Sequence, residues 1–171
     1  MALYKGAFRV FNRVFQTRVA YAHCDIPCGI YDPHTAQLAA LTVVRMNQLI
    51  QNLAKPEPGS TPAQVEAYST ALSRFVAVKE QHAEACKHEL RVLWGDYFRP
   101  EHIQQYPDLH DRFFNAMKLA SKAKQTNDMD AAQQLLAAVQ GIAEIFWKTK
   151  GAKVNRQPSR QTVGGELVYP A

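Results

Sequence analysis

His23, Cys24 and Cys28 crowd a histidine and two thiols into the stretch HCDIPCGIYDP. Two thiolates and an imidazole so close together form a metal-ligand cluster, yet a structural zinc site normally draws on four protein ligands, often as two paired motifs. Only one pair is present. The third cysteine, Cys86, falls far downstream on a helical seam and reads as a buried apolar residue. The missing donors can come from the backbone if His23 is the first residue of the chain. Its free α-amino group and the amide nitrogen of Cys24 then join the two thiolates in a planar set of two nitrogens and two sulfurs, which suits Ni(II) or Cu(II). The His23 imidazole is left for an axial position. Pro27 restricts φ and Gly29 allows a backbone path closed to other residues, so both shape the turn. Asp25 reads as a solvated turn residue or as a polar rim group.

The residues before His23 must therefore be explained. Residues 1–22 hold Lys5, Arg9, Arg13 and Arg18 with no acidic side chain and end in Ala20-Tyr21-Ala22, a small-residue pattern of the kind cleavage sites use. Arginines interrupt every apolar run, so no uncharged secretory core exists. The segment reads either as an amphipathic helix or as a removable leader.

The elements that would carry the cluster are helical. Ala39, Val43, Met46, Ile50 and Leu53 alternate at spacings of four and three, one stripe of a helix after Pro33. KPEPGS breaks the chain, and Thr61, Pro62 and Gln64 start a second helix with a capping-box pattern that runs to about Trp94. Its stripe is Val65, Tyr68, Leu72, Phe75, Lys79, His82, Cys86, Leu90 and Leu93, with Lys79 and His82 as polar breaks. GDYFRPEHIQQYPD is a connector. Asp108 opens a third helix through Leu109, Phe113, Met117 and Ala120, and a fourth carries Ala132, Leu135, Val139, Ile142 and Phe146. The expected fold is all-α, an up-down four-helix bundle over 34–150 with an N-terminal metal-binding hook over 23–33. Residues 151–171 lose periodicity and read as an extended or disordered tail, placed to wrap a partner subunit.

Composition limits the alternatives. The 171 residues suit one domain. The formal charge of +5 sits at the two ends, since residues 23–150 carry about −1, which argues against nucleic acid as a partner. No run approaches the ~20 apolar residues of a membrane span. His34 stands at a helix start, where capping or exposure is expected; His88, His102 and His110 have no partner spacing and read as surface residues.

The hook HCDIPCGIY resembles that of the nickel-containing superoxide dismutases, HCxxPCGxY, at all six fixed positions, and the resemblance continues through VKEQHAE, VLWGDYFRPEHIQQYPDLH and IFWKTK. It implies one nickel ion per subunit, held by His23 (amine and imidazole), Cys24 (thiolate and amide) and Cys28 (thiolate). It further implies Ni(II)/Ni(III) cycling that converts superoxide to oxygen and hydrogen peroxide. Tyr31 matches the motif tyrosine over the vacant face of the nickel and Tyr97 a second tyrosine near it. A cytoplasmic homohexamer and removal of the leader by a dedicated peptidase are also implied. Other members can place a glutamate where this chain has Ala39 and an arginine where it has His82, groups that help hold the axial imidazole. Two other classes remain open: a metal-binding or trafficking protein without redox turnover, and a structural bundle whose Cys24 and Cys28 form a disulfide.

Overall fold

The computed structural model describes residues 29–171. The leader 1–22 and the hook residues His23, Cys24, Asp25, Pro27 and Cys28 lie outside the described residues. Four long helices form the body: α1 (His34–Gln51), α2 (Pro62–Val92), α4 (Leu109–Gln125) and α5 (Met129–Thr149), with a short α3 (Pro100–Gln105) in the connector. α1 packs on α2 and α5, and α4 packs on the same two, which closes the four into a ring. This is the expected up-down bundle. Among the described residues no helix is long and apolar enough to cross a membrane.

The helix boundaries have local causes. Thr61 and Gln64 complete a reciprocal capping box, the Gln64 amide donating to Thr61 Oγ1 (3.3 Å) and the Thr61 amide to Gln64 Oε1 (2.8 Å). Asp128 caps α5 by accepting from the Ala131 amide at 3.1 Å. α1 is less well served. Its N-cap is Pro33, with no side-chain cap of its own and no acidic residue in the first turn, and Asp32 Oδ1 takes one orphan N–H, that of His34.

Two kinds of core follow from residue size. Toward the α4–α5 turn, Ala120, Ala123, Ala131 and Ala132 are all fully buried, so the backbones can approach closely. At the opposite end Phe98, Phe113 and Phe146 pack with Trp94 and Tyr97 in tilted and edge-on pairs. That aromatic end is where the chain enters from the hook. The N-terminal half of α2 outruns its neighbours, which leaves Val65 44% exposed and Tyr68, Leu72 and Phe75 half-buried.

Lys79 is a finding in its own right. It is 1% exposed, and its ammonium donates to the Thr126 carbonyl and to Asn127 Oδ1 (2.8 Å), pinning the α4–α5 turn to α2. The polar break in the seam is thus satisfied inside the bundle at Lys79, while His82 stays half-buried.

The connector and the tail depart from expectation. Past Val92 the helix widens into a π-helical turn, Leu93–Tyr97, closed by the Phe98 amide on the Leu93 carbonyl at 3.0 Å. Pro100 then sits in the first turn of α3. The tail, expected to be extended or disordered, is extended and folds back on itself: β1 (Val154–Pro158) and β2 (Glu166–Pro170) form an antiparallel hairpin with Arg156 opposite Val168. Gly164 and Gly165, both at positive φ, help turn the chain. Leu167 and Val168 are 1% exposed against the bundle. Periodicity does not reveal such a hairpin, because its buried face rests on α1 and α5 rather than on a second sheet.

Candidate metal centre

Tyr31 follows the hook directly, and Tyr97 ends the π-helical turn. Their ring centroids lie 5.7 Å apart at an interplanar angle of 57°. The extra residue of a π turn shifts the helical phase, and this brings Tyr97 back over the aromatic end of the bundle, 4.4 Å from the Phe146 ring centroid. Its hydroxyl lies 2.7 Å from Thr149 Oγ1, and Thr149 Oγ1 donates to the Phe146 carbonyl at 2.7 Å. With the threonine proton committed there, the phenol is the donor in the first bond.

Around the pair is an open cleft of about 250 Å³ that includes Gly29, Asp96, Arg99, His102 and Lys150. Lys150 lies over the rings of Tyr97 (5.6 Å to the centroid) and Phe146 (4.7 Å), and its ammonium reaches the Tyr31 carbonyl at 3.4 Å. His102, expected at the surface, instead stacks on Tyr97 with centroids 5.7 Å apart and takes the Arg99 amide proton on Nδ1 at 3.2 Å. His88 is exposed, and His110 is exposed with its ring edge-on to Trp94 at 4.4 Å. No sequence spacing pointed to Lys150, Thr149 or His102, which reach the cleft from α3 and from the end of α5. Their signals were VLWGDYFRPEHIQQYPDLH, which contains His102, and IFWKTK, which contains Thr149 and Lys150, and both carried resemblance without a role.

Ala39 and His82 line one cavity of about 650 Å³ between α1, α2 and the loop that bears Gln161 and Thr162. The two departures from the family pattern are therefore neighbours in space. Among the described residues no carboxylate lines this cavity, and Arg45, His82 and Gln161 supply its polar groups together with threonine hydroxyls.

Among the described residues no group of three or more His, Cys, Asp or Glu could hold a metal ion. Cys86 is 0% exposed, and burial, with a smaller push from the Glu89 charge, raises its thiol to about 12. Cys86 belongs to no candidate metal cluster among the described residues, and His23, Cys24 and Cys28 stand as the candidate ligands on the sequence. Half-buried His34, 5.5 Å from the Tyr169 ring, and Trp147 each carry a buried nitrogen, Nδ1 and Nε1, without a hydrogen-bond partner among the described residues. A donor set of two thiols, an amine and an amide fits nickel.

Comparison with known proteins agrees with this chemistry. A family model for nickel-containing superoxide dismutase matches residues 18–150. The superoxide dismutase [Ni] of Streptomyces coelicolor is 36% identical over 144 residues, 84% of this chain and 100% of the relative. That of Streptomyces seoulensis is 38% identical over the same shares. Among solved structures, native nickel superoxide dismutase superposes with a TM-score of 0.62 at 37% identity, covering 75% of this chain and 99% of that one. A form with nickel ligation corresponding to the oxidized state has a TM-score of 0.62 at 38% identity, covering 76% and 100%. A helical bundle with an aromatic end and a match over most of its length place this chain in the nickel-containing superoxide dismutase family.

Proposed function

We propose that His23, Cys24 and Cys28 hold one nickel ion per subunit and that the chain, once cleaved before His23, disproportionates superoxide at that ion. Two superoxide anions and two protons yield one dioxygen and one hydrogen peroxide. When bound, nickel supplies the one-electron exchange between Ni(II) and Ni(III) that both halves of the reaction need. The observation that carries the reading is the Tyr31–Tyr97 pair, at 5.7 Å, standing at the base of the hook in a chain of this family.

The chain's own residues have definable work. With nickel bound, the His23 amine and the Cys24 amide would supply nitrogen donors, the Cys24 and Cys28 thiols would give up their protons to bind as thiolates, and the His23 imidazole would be available as a further donor. Tyr31 and Tyr97 wall the approach. Tyr97 is held rigid because its proton is donated to Thr149, so it limits entry to small species and protects the thiolates from larger oxidants. The Lys150 ammonium beside the pair raises the local concentration of an anionic substrate.

Arginines 9, 13 and 18 deny residues 1–22 a secretory core, which supports a leader removed by a peptidase and a cytoplasmic enzyme. The half-buried apolar face on the projecting half of α2, with Val65 44% exposed, supports association of copies as a homohexamer.

Mass spectrometry and metal analysis of the purified protein test the proposal together. A mature mass that begins at His23 with one nickel per chain and superoxide-dependent turnover is expected. An active site holding zinc behind an intact leader, or a Cys24–Cys28 disulfide in the active preparation, would overturn it. Cys24→Ser and Cys28→Ser should each lose nickel and activity while retaining the helical signal.

A further inference from the structure

The C-terminal hairpin lies wholly beyond residue 150, where the family match ends. We propose that it is a brace: by gripping the first turns of α1 and the flank of α5, it positions the hook-bearing end of the chain against the Tyr97 cleft. This rests on the proposed function for what the positioning serves, but the grip itself is visible without metal.

The grip on α1 is made by a helix side chain that behaves like a strand edge. Gln37, 0% exposed and one turn after Pro33, donates from Nε2 to the Val168 carbonyl (3.0 Å) and accepts on Oε1 from the Val168 amide (2.7 Å). Both backbone groups of a buried strand residue are thereby satisfied, which ties the position of β2 to that of α1. Next in the strand, Tyr169 packs its ring on His34, centroids 5.5 Å apart. Farther along α1, Gln48 donates to the Val163 carbonyl at 3.2 Å.

A second grip falls on α5. Gln140 donates to the Glu166 carbonyl at 2.7 Å, and Arg156 spans Glu144 (2.6 Å) and Gln140 Oε1 (3.2 Å). α1 carries Tyr31 and the hook at its N-terminus; α5 carries Thr149 and Lys150 at its C-terminus. One hairpin thus couples the two helices whose ends build the cleft. The need is local, because α1 begins at Pro33 without a side-chain cap of its own, and a helix end so poorly capped frays readily unless tertiary contacts hold it.

The test uses Tyr169→Ala and Gln37→Leu in the full chain, with Thr61→Ala at the distal end of α2 as a comparison that destabilises without touching the hook. Hydrogen exchange of the metal-free proteins is read over residues 29–41 and over α5, and nickel release from loaded protein into a chelator is timed. Exchange at 29–41 should quicken tenfold or more in Tyr169→Ala with α5 at 139–149 unchanged, and nickel should leave about tenfold faster. Thr61→Ala should alter neither. Unchanged protection at 29–41, or protection lost evenly across all helices, overturns the brace. Should Gln37→Leu not fold, Tyr169→Ala decides alone. A full chain that takes up no nickel defeats the proposed function, whereas the exchange result still judges the brace.

Discussion

The Tyr97 hydroxyl donates to Thr149 Oγ1 at 2.7 Å, and Thr149 Oγ1 in turn donates a hydrogen bond to the Phe146 carbonyl, so the second tyrosine of the cleft is tied to the last turn of α5. Tyr97→Phe and Thr149→Val should each cost about 1 kcal/mol of stability, the usual net value of one such bond. The double variant should cost little more than Thr149→Val alone, because that change already removes the Tyr97–Thr149 bond together with the bond to the Phe146 carbonyl. Denaturant unfolding of the four proteins closes the cycle.

Lys150 provides a test of electrostatics in place of packing. Lys150→Met should leave the bundle folded, since the methionine stem can still cover Phe146, while kcat/KM for superoxide falls by roughly tenfold and its dependence on ionic strength weakens. Turnover measured across a salt series reads both effects.

Lys79 makes stability depend on pH in a definite sense. Burial lowers its pKa below the usual 10.5, with the nearby Glu80 charge pulling weakly the other way. Between the lowered folded value and 10.5 the unfolded chain binds more protons, so the Lys79 contribution becomes more favourable as pH rises through that window. Lys79→Met leaves the Thr126 carbonyl and Asn127 without their donor and should cost about 1–3 kcal/mol at neutral pH. The gap in Tm between the native chain and the variant should widen from pH 7 toward pH 10.

Cys86 should resist alkylation. With its thiol raised to about 12, the folded protein should show no iodoacetamide adduct at Cys86 at pH 8 and full labelling once denaturant is added. Cys86→Ser should keep the nickel stoichiometry of the native chain, whereas substitution at Cys24 or Cys28 should abolish it. Peptide mapping by mass spectrometry distinguishes the three thiols.

Thr61→Ala removes the capping-box acceptor that Gln64 uses, at a cost of about 1 kcal/mol. Because residues 62–67 project beyond the bundle as exposed helix, the loss should appear as faster exchange in the first turns of α2 and leave α4 and α5 as they were.

Helix starts and seams were legible in the chain itself. Thr61 with Gln64, Asp108 ahead of the third long helix and the seams through Leu90, Phe113 and Phe146 each depend on residues within a turn or two of one another, where spacing alone dictates which face is apolar or where a helix begins. The HCDIPCGIY stretch is equally local, since a chelate built from an N-terminus and two nearby thiols needs no distant partner. Lys79 shows where such reading stops. A lysine on an apolar seam can snorkel to solvent or be satisfied within, and only the arrival of Thr126 and Asn127 from the next turn decides that it stays inside.

The cleft and the hairpin belong to the same second kind. Tyr31, Tyr97, His102 and Lys150 come from four separate places in the chain and meet because a π-helical turn changes the phase of α2 and because the aromatic ends of three helices pack together. Val168 is a buried strand residue because Gln37, far away in sequence, offers the bonds a sheet neighbour would. Local periodicity could name the helices, since they follow from the geometry of consecutive residues, and the candidate metal donors stand together in one short stretch of sequence. The cleft around Tyr31 and Tyr97 was decided by long-range packing, where a hydrogen bond or a ring contact exists only after the whole bundle has closed.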